Sequence, residues 1–150
     1  MKEFNQLKKN LKKDFSSLPV KKIAVLGDSS TQLLVQAVRA TGYDEGVNLE
    51  IFEAEYDQID HEVFDQNSEL YTSQPDLVII FQSVYKLLSK FNKTKFEGKK
   101  FFSENTIAHI KELCSIISSR LKSKIIIFNF PEINDNVFGS FANKLDFSFI

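Results

Sequence analysis

A serine becomes a nucleophile only beside a base that takes its proton and donors that hold the resulting oxyanion. The sequence offers such a serine in Gly27-Asp28-Ser29-Ser30. These residues follow a short unbroken apolar run, Ile23 to Leu26, of the kind found in strands buried on both faces. From Thr31 the spacing changes, and Leu34, Val35, Val38 and Thr41 mark one face of a helix. Strand, tight polar turn and helix is the arrangement in which open α/β folds bind ligands, beyond the carboxyl end of a strand. Gly27 is expected to let the chain turn without a Cβ clash. Asp28, Ser29 or Ser30 is expected to cap the helix, whose free N–H groups can hold an anion or an oxyanion. Ser29 is thus the candidate catalytic residue, and Gly27 and Asp28 are candidate substrate or oxyanion binders. The plainer reading of the same triplet is a helix cap on a turn.

The partners such a serine needs are incomplete. Gln82 and Asn129 each follow a later apolar run and belong at the same sheet edge, where Gln82 can contribute a hydrogen bond. Both are candidate substrate or oxyanion binders. The two histidines, His61 and His109, fall in helical stretches and none follows Asn129. His61 lies beside the loop after the second strand and reads first as a solvated residue next to Glu62, and His109 reads as surface. A base for Ser29 is therefore missing. Asp28 at a strand tip is the type of residue that binds magnesium in receiver domains, but their acidic pair and late lysine do not accompany it. No metal site is expected.

Several elements must position these residues. Phe4, Leu7, Leu11 and Phe15 recur at spacings of three and four with lysines opposite, which predicts an amphipathic helix lying on the sheet or on another domain. Gly42 is placed to end the helix after the first strand. Asn48 to Ala54 reads as a second strand, Asp57 to Phe64 as a short helix capped by Asp57, and Ser68 to Tyr71 as a turn-like element. Leu77 to Phe81 is the third strand, and Ser83 to Phe91 is a helix. Asn92 to Lys100 is a polar, lysine-rich loop, and the wider stretch Lys90 to Lys100 is basic with phenylalanines between, read first as solvated and otherwise as a face for an acidic carrier protein. Ser103 or Asn105 opens a long helix with Ile107, Ile110, Leu113, Cys114, Ile117 and Leu121 inward, anchored by Phe101-Phe102. Lys124 to Phe128 is the fourth strand, and the remainder is irregular, with turn signals at Pro131, Asn134-Asp135-Asn136 and Gly139. Strands separated by helices give a parallel sheet covered on both faces. The expected fold is an α/β three-layer sandwich, flavodoxin-like or SGNH-like, with strand order 2-1-3-4. Such sheets usually carry a fifth strand, and the pattern stops at four, so residues 1–150 read as one domain and as the amino-terminal fragment of a longer chain.

Composition narrows the class. Hydrophobic residues make up 43% and charged residues 26%, an ordinary globular balance. A net charge of −1 gives no electrostatic case for nucleic acid. The single cysteine, Cys114, excludes an internal disulfide and fits a reducing cytoplasm. No apolar run approaches the roughly 20 residues of a membrane span, and the basic amino terminus lacks the apolar core of a signal peptide.

Four separated clusters carry a more specific signal: Tyr56-Asp57-Gln58, Glu62-Val63, Ser68-Glu69-Leu70-Tyr71 and Pro75-Asp76-Leu77-Val78. In order and spacing they resemble the amino-terminal, SGNH-like domain of FkbH-like proteins, of haloacid-dehalogenase superfamily subfamily IIIC. The leading amphipathic helix and the Phe130-Pro131…Gly139 loop agree with it. The resemblance implies a phosphatase-type domain following in the same polypeptide, magnesium in that domain, and transfer of a glyceryl unit onto an acyl carrier protein thiol. Its partners would then be an acyl carrier protein and its own missing carboxyl-terminal domain. The Asp-x-Asp signature of the phosphatase domain is absent, so phosphoryl chemistry cannot reside in these residues. The Gly-Asp-Ser block is similar to that of GDS-type SGNH esterases. Their Gly-x-Asn-Asp after strand three is replaced here by Phe81-Gln82-Ser83, and their late Asp-x-x-His is missing. The expected function is an accessory domain that positions substrate or carrier for the phosphatase domain. The alternatives are an esterase or acyltransferase using Ser29, and a non-catalytic α/β binding module.

Overall fold

The computed structural model describes residues 3–133, 139–145 and 147–149. The elements are α1 (Phe4–Leu7), a 3-10 turn (Lys8–Lys12), β1 (Val20–Gly27), α2 (Gln32–Asp44), β2 (Asn48–Glu53), α3 (Ile59–Phe64), α4 (Glu69–Thr72), β3 (Leu77–Phe81), α5 (Val84–Lys93), α6 (Phe96–Lys99), α7 (Phe102–Arg120), β4 (Lys124–Ile127) and a second 3-10 turn (Gly139–Lys144). The four strands form one all-parallel sheet in the order β2-β1-β3-β4.

Alternation along β1 and β3 sends side chains to two different cores. On one face Ala24, Leu26, Val78 and Ile80 pack with Ile59 and Val63 of α3, Leu70 and Tyr71 of α4, and Leu113 and Ile117 of α7. On the other, Ile23, Val25 and Ile79 pack against Val35 and Val38 of α2. Burying each Leu, Ile or Val contributes about 1.5–3 kcal/mol, so these two layers dominate the stability of the domain. Arg120, the last residue of α7, ties that helix to the end of α3. Its Nη1 donates to the carbonyls of Val63 at 3.0 Å and Phe64 at 3.2 Å and to the Tyr71 hydroxyl at 3.2 Å.

Several expected elements are displaced. The amino-terminal helix is only α1 and a 3-10 turn, and it packs on α2 rather than on the sheet. Its anchors are polar as well as apolar: the buried Asn10 Nδ2 donates to the Ala40 carbonyl at 3.0 Å and to Asp44 Oδ1 at 2.9 Å, and Phe15 meets the Tyr43 ring edge-on at 5.0 Å. Gly42 lies inside α2, where a Cβ would come within 2.6 Å of Leu49 Cγ. The turn out of the helix is made at Gly46, whose φ is +71°. The loop expected at Asn92 to Lys100 contains α6. The long helix starts at Phe102 without a capping side chain, and Ile107 is exposed rather than inward. Phe102 packs against Phe91, ring centroids 5.3 Å apart, whereas Phe101 is exposed. The turn signal Asn134-Asp135-Asn136 lies outside the described residues.

Strand β4 forms one edge of the sheet. Ile126, Ile127 and the following Phe128 are exposed there.

Candidate functional site

The register of the ladders brings the strand ends together. Gly27 of β1 pairs with Phe81 of β3, and Ile80 with Ile127 of β4. Asp28, Gln82 and Asn129 therefore leave the sheet from the same edge.

Asp28 is 5% exposed and continues the β1–β3 pairing beyond the last rung. Its N–H donates to the Phe81 carbonyl at 3.1 Å, and its Oδ1 accepts the Ser83 N–H at 2.8 Å. Burial pushes its carboxyl above the ordinary aspartate range, against the pull of the Ser83 N–H and of Lys86 and Lys90, while Asp57 adds to the rise. Asp28 is thus committed to the start of α5 and does not cap α2. Ser29 and Ser30 do not cap it either. Thr31 occupies the N-cap position, without a side-chain cap hydrogen bond. Its hydroxyl donates instead to Glu53 Oε1 at 2.6 Å.

Gly27 is required, as expected, because the turn leaves no room for a Cβ. It has no positive φ, but a Cβ there would stand 2.4 Å from Thr31 Cγ2 and 3.1 Å from the Ser29 carbonyl oxygen. Close approach of the turn, and not a left-handed backbone, fixes the residue type.

Tyr56-Asp57-Gln58 closes over the end of β1. The Asp57 N–H donates to the Gly27 carbonyl at 3.2 Å. Asp57 does not cap α3, since Gln58 holds that position. It has φ +61°, a left-handed conformation rare outside glycine, and it pairs with Lys86 of α5 at 2.8 Å. Lys86 also lies 4.3 Å from the centre of the Tyr56 ring. Burial would lower the Lys86 pKa, but hydrogen bonding to Asp57 and Tyr56 outweighs it and holds the ammonium above its ordinary value.

Ser29 is partly exposed, and among the described residues its hydroxyl makes no hydrogen bond. It lines a shallow depression of ≈ 350 Å³ together with Ser30, Gln32, Glu53, Glu55 and Tyr56. No histidine is hydrogen bonded to it: His61 is exposed on α3, and His109 reaches Asp60 Oδ1 at 3.0 Å, tying α7 to α3 rather than lying idle on the surface. Gln82 is half-buried, and its side-chain oxygen is buried without a partner. Asn129 is exposed. Among the described residues no group of three or more His, Cys, Asp or Glu side chains could hold a metal ion, and no helix is long and apolar enough to cross a membrane.

The pairing of Asp57 with Lys86 is not legible in the sequence, where Asp57 reads as a cap and as part of the Tyr-Asp-Gln cluster and Lys86 has no role. The one available signal was the Tyr-Asp-Gln cluster itself, whose place beside Asp28 depends on the fold. A larger groove, ≈ 1020 Å³, lies between α5, the start of α7 and the segments after β4.

The model of the FkbH N-terminal domain matches residues 22–150. The chain belongs to this family. The matched range contains all four clusters quoted above and the sheet from Lys22 of β1 onward. The FkbH N-terminal domain described here is also similar to a crystal structure of the N-terminal part of the protein BF1531 from Bacteroides fragilis, described as containing phosphatase domain complexed with Mg. The two are 35% identical with a TM-score of 0.91, over 99% of this chain and 38% of that one. This FkbH N-terminal domain thus spans well under half the length of that relative. No curated protein matches the sequence.

Proposed function

We propose that this chain is an accessory FkbH N-terminal domain, which positions a substrate or an acyl carrier protein for a phosphatase-type domain of haloacid-dehalogenase subfamily IIIC in the same cytoplasmic protein. Magnesium and the phosphatase or glyceryl-transferase chemistry belong to that second domain. The observation that carries the reading is the likeness, at 35% identity over 99% of the chain, to a protein described as containing a phosphatase domain complexed with Mg. In this reading Gly27, Asp28, Ser29, Gln82 and Asn129 form the edge that faces the bound group, with Lys86 and Asp57 holding the turn above it. A histidine-free Ser29 supports placement over chemistry, because a serine hydroxyl is a weak nucleophile until a base accepts its proton.

A second reading, acyl transfer or ester hydrolysis by Ser29, is favoured by its partly exposed position before a 13-residue helix and within the ≈ 350 Å³ depression. Two measurements separate the two. Calorimetric titration with phosphopantetheinylated acyl carrier protein is expected to show binding. An assay on short-chain aryl esters is expected to show at most weak turnover, unchanged by Ser29→Ala. Robust turnover lost in both Ser29→Ala and His61→Ala would overturn the accessory reading and make this domain a hydrolase with an unusual base.

A further inference from the structure

Positive charge gathers in two stretches of this chain, the amino-terminal one with Lys8, Lys9, Lys12 and Lys13, and the segment around α5 and α6. Between Val84 and Phe102 stand six lysines and one acidic residue, Glu97, in a protein of net charge −1. The fold uses one of them, Lys86, in its pair with Asp57. Among the described residues no carboxylate pairs with Lys90, Lys93, Lys95, Lys99 or Lys100. Two are held over aromatic rings: Lys99 Nζ lies 4.4 Å from the centre of Phe91 and Lys100 Nζ 4.7 Å from that of Phe101.

Apolar surface accompanies this charge. Tyr85 is 70% exposed, Phe96 65% and Phe101 47%. The same segment lines the ≈ 1020 Å³ groove: its Val84, Leu87, Phe91 and Phe102, with Ile107 of α7, supply apolar walls, and Lys99 and Lys100 supply two positive charges against the single acidic lining residue, Glu132. A merely solvated lysine loop needs neither exposed phenylalanines nor an apolar groove beside it. Clustered like charges repel, and an opposite charge relieves them while steering its bearer to the surface.

We infer that the α5–α6 segment and its groove form a docking surface for an acidic protein. Carboxylates of the partner meet Lys90, Lys93, Lys95, Lys99 and Lys100, and an apolar helix face of the partner enters the groove and covers the exposed side of Phe96, whose other side meets Phe147 at 5.1 Å. This rests on the carrier-protein reading and adds to it the surface that the carrier uses.

The test is calorimetric titration of phosphopantetheinylated acyl carrier protein into the wild-type chain, Lys95→Glu/Lys99→Glu, Phe96→Ala, and a control, Lys8→Glu/Lys12→Glu, at the amino-terminal turn. Thermal melts check that each variant folds. Affinity is expected to fall at least about tenfold in the double charge reversal, as for charges at a steered interface. It should also fall in Phe96→Ala, stay level in the control, and weaken as salt shortens the screening length to about 3 Å near 1 M. Carrier binding that ignores both α6 variants would overturn this surface while leaving the carrier reading intact. No binding of carrier to the wild type would overturn the carrier reading and this inference with it. Binding to phosphatidylglycerol vesicles, tighter than to carrier and lost in Lys95→Glu/Lys99→Glu, would replace the protein partner by a membrane surface.

Discussion

Replacing Gly27 by alanine tests whether the turn after β1 is held by packing. The new Cβ would lie 2.4 Å from Thr31 Cγ2, where two carbons need about 3.5–4.0 Å. Thr31 has nowhere simple to go: it is buried, it begins α2, and its hydroxyl is bonded to Glu53. Overpacking of this kind costs about 1–3 kcal/mol. Displacing Thr31 also weakens a hydrogen bond to a charged acceptor, which contributes about 1.5–3 kcal/mol. Gly27→Ala should therefore destabilise the domain by about 2–5 kcal/mol, read from urea unfolding followed by circular dichroism. Thr31→Ser removes the offending methyl and keeps the hydroxyl, and alone should cost about 1 kcal/mol. In the double variant the contact that remains is 3.1 Å to the Ser29 carbonyl oxygen, so Gly27→Ala/Thr31→Ser should be more stable than Gly27→Ala alone. A result in which the two changes add within about 0.5 kcal/mol would refute the reasoning, because independent sites add and touching ones do not.

Asp28→Asn removes the cost of ionising a buried carboxyl. A folded pKa raised by burial means the unfolded state binds fewer protons, so wild-type stability from this group falls as pH rises from 3.8 through the folded value. The variant's gain over wild type should be largest at neutral pH and shrink on acidification toward 3.8, and a gain that grows on acidification would show the opposite shift. Arg120→Met should cost about 1–3 kcal/mol in urea unfolding, since it removes the hydrogen bonds to the Val63 and Phe64 carbonyls and to the Tyr71 hydroxyl and leaves Val63 with the Tyr71 hydroxyl alone. The exposed β4 edge should drive self-association of this chain at high concentration, and Ile126→Lys should reduce it in light scattering. Burial raises the Cys114 thiol above its ordinary pKa, so it should react with a thiol reagent more slowly than a free cysteine at neutral pH, and faster labelling would contradict that.

The sheet was legible in the sequence because its strands are short apolar runs bounded by polar turns. Leu77–Phe81 coincides with its apolar run to the residue, β1 extends beyond the apolar Ile23 to Leu26 at both ends, and alternation of strand and helix gives the parallel sheet, while the order 2-1-3-4 comes with the flavodoxin-like or SGNH-like fold. Helix ends were less legible. Gly42 resembles a terminator, but whether a glycine turns the chain or admits a neighbour depends on Leu49, which arrives from β2. The cap of α2 failed for a similar reason. Asp28 has the right chemistry for a cap, yet the N–H it accepts belongs to Ser83, 55 residues away. Within the candidate site, placing Gly27, Asp28 and Gln82 at one edge required only strand ends. The Asp57–Lys86 pair required knowing that the turn after β2 folds back against α5, which no local pattern carries.

Asp28 standing as an extra rung between β1 and β3 has a consequence for how such a triplet is read as a signature. In Gly-Asp-Ser the glycine makes room for Thr31 and the aspartate splices two strand ends. Both duties are architectural, and neither depends on a base existing anywhere in the chain. Only the serine hydroxyl has no such duty among the described residues. The motif is then a fingerprint of a crossing point in the sheet, and a fold can keep it intact with or without hydrolysis. The information about activity sits elsewhere, in whether a proton acceptor arrives from a distant loop.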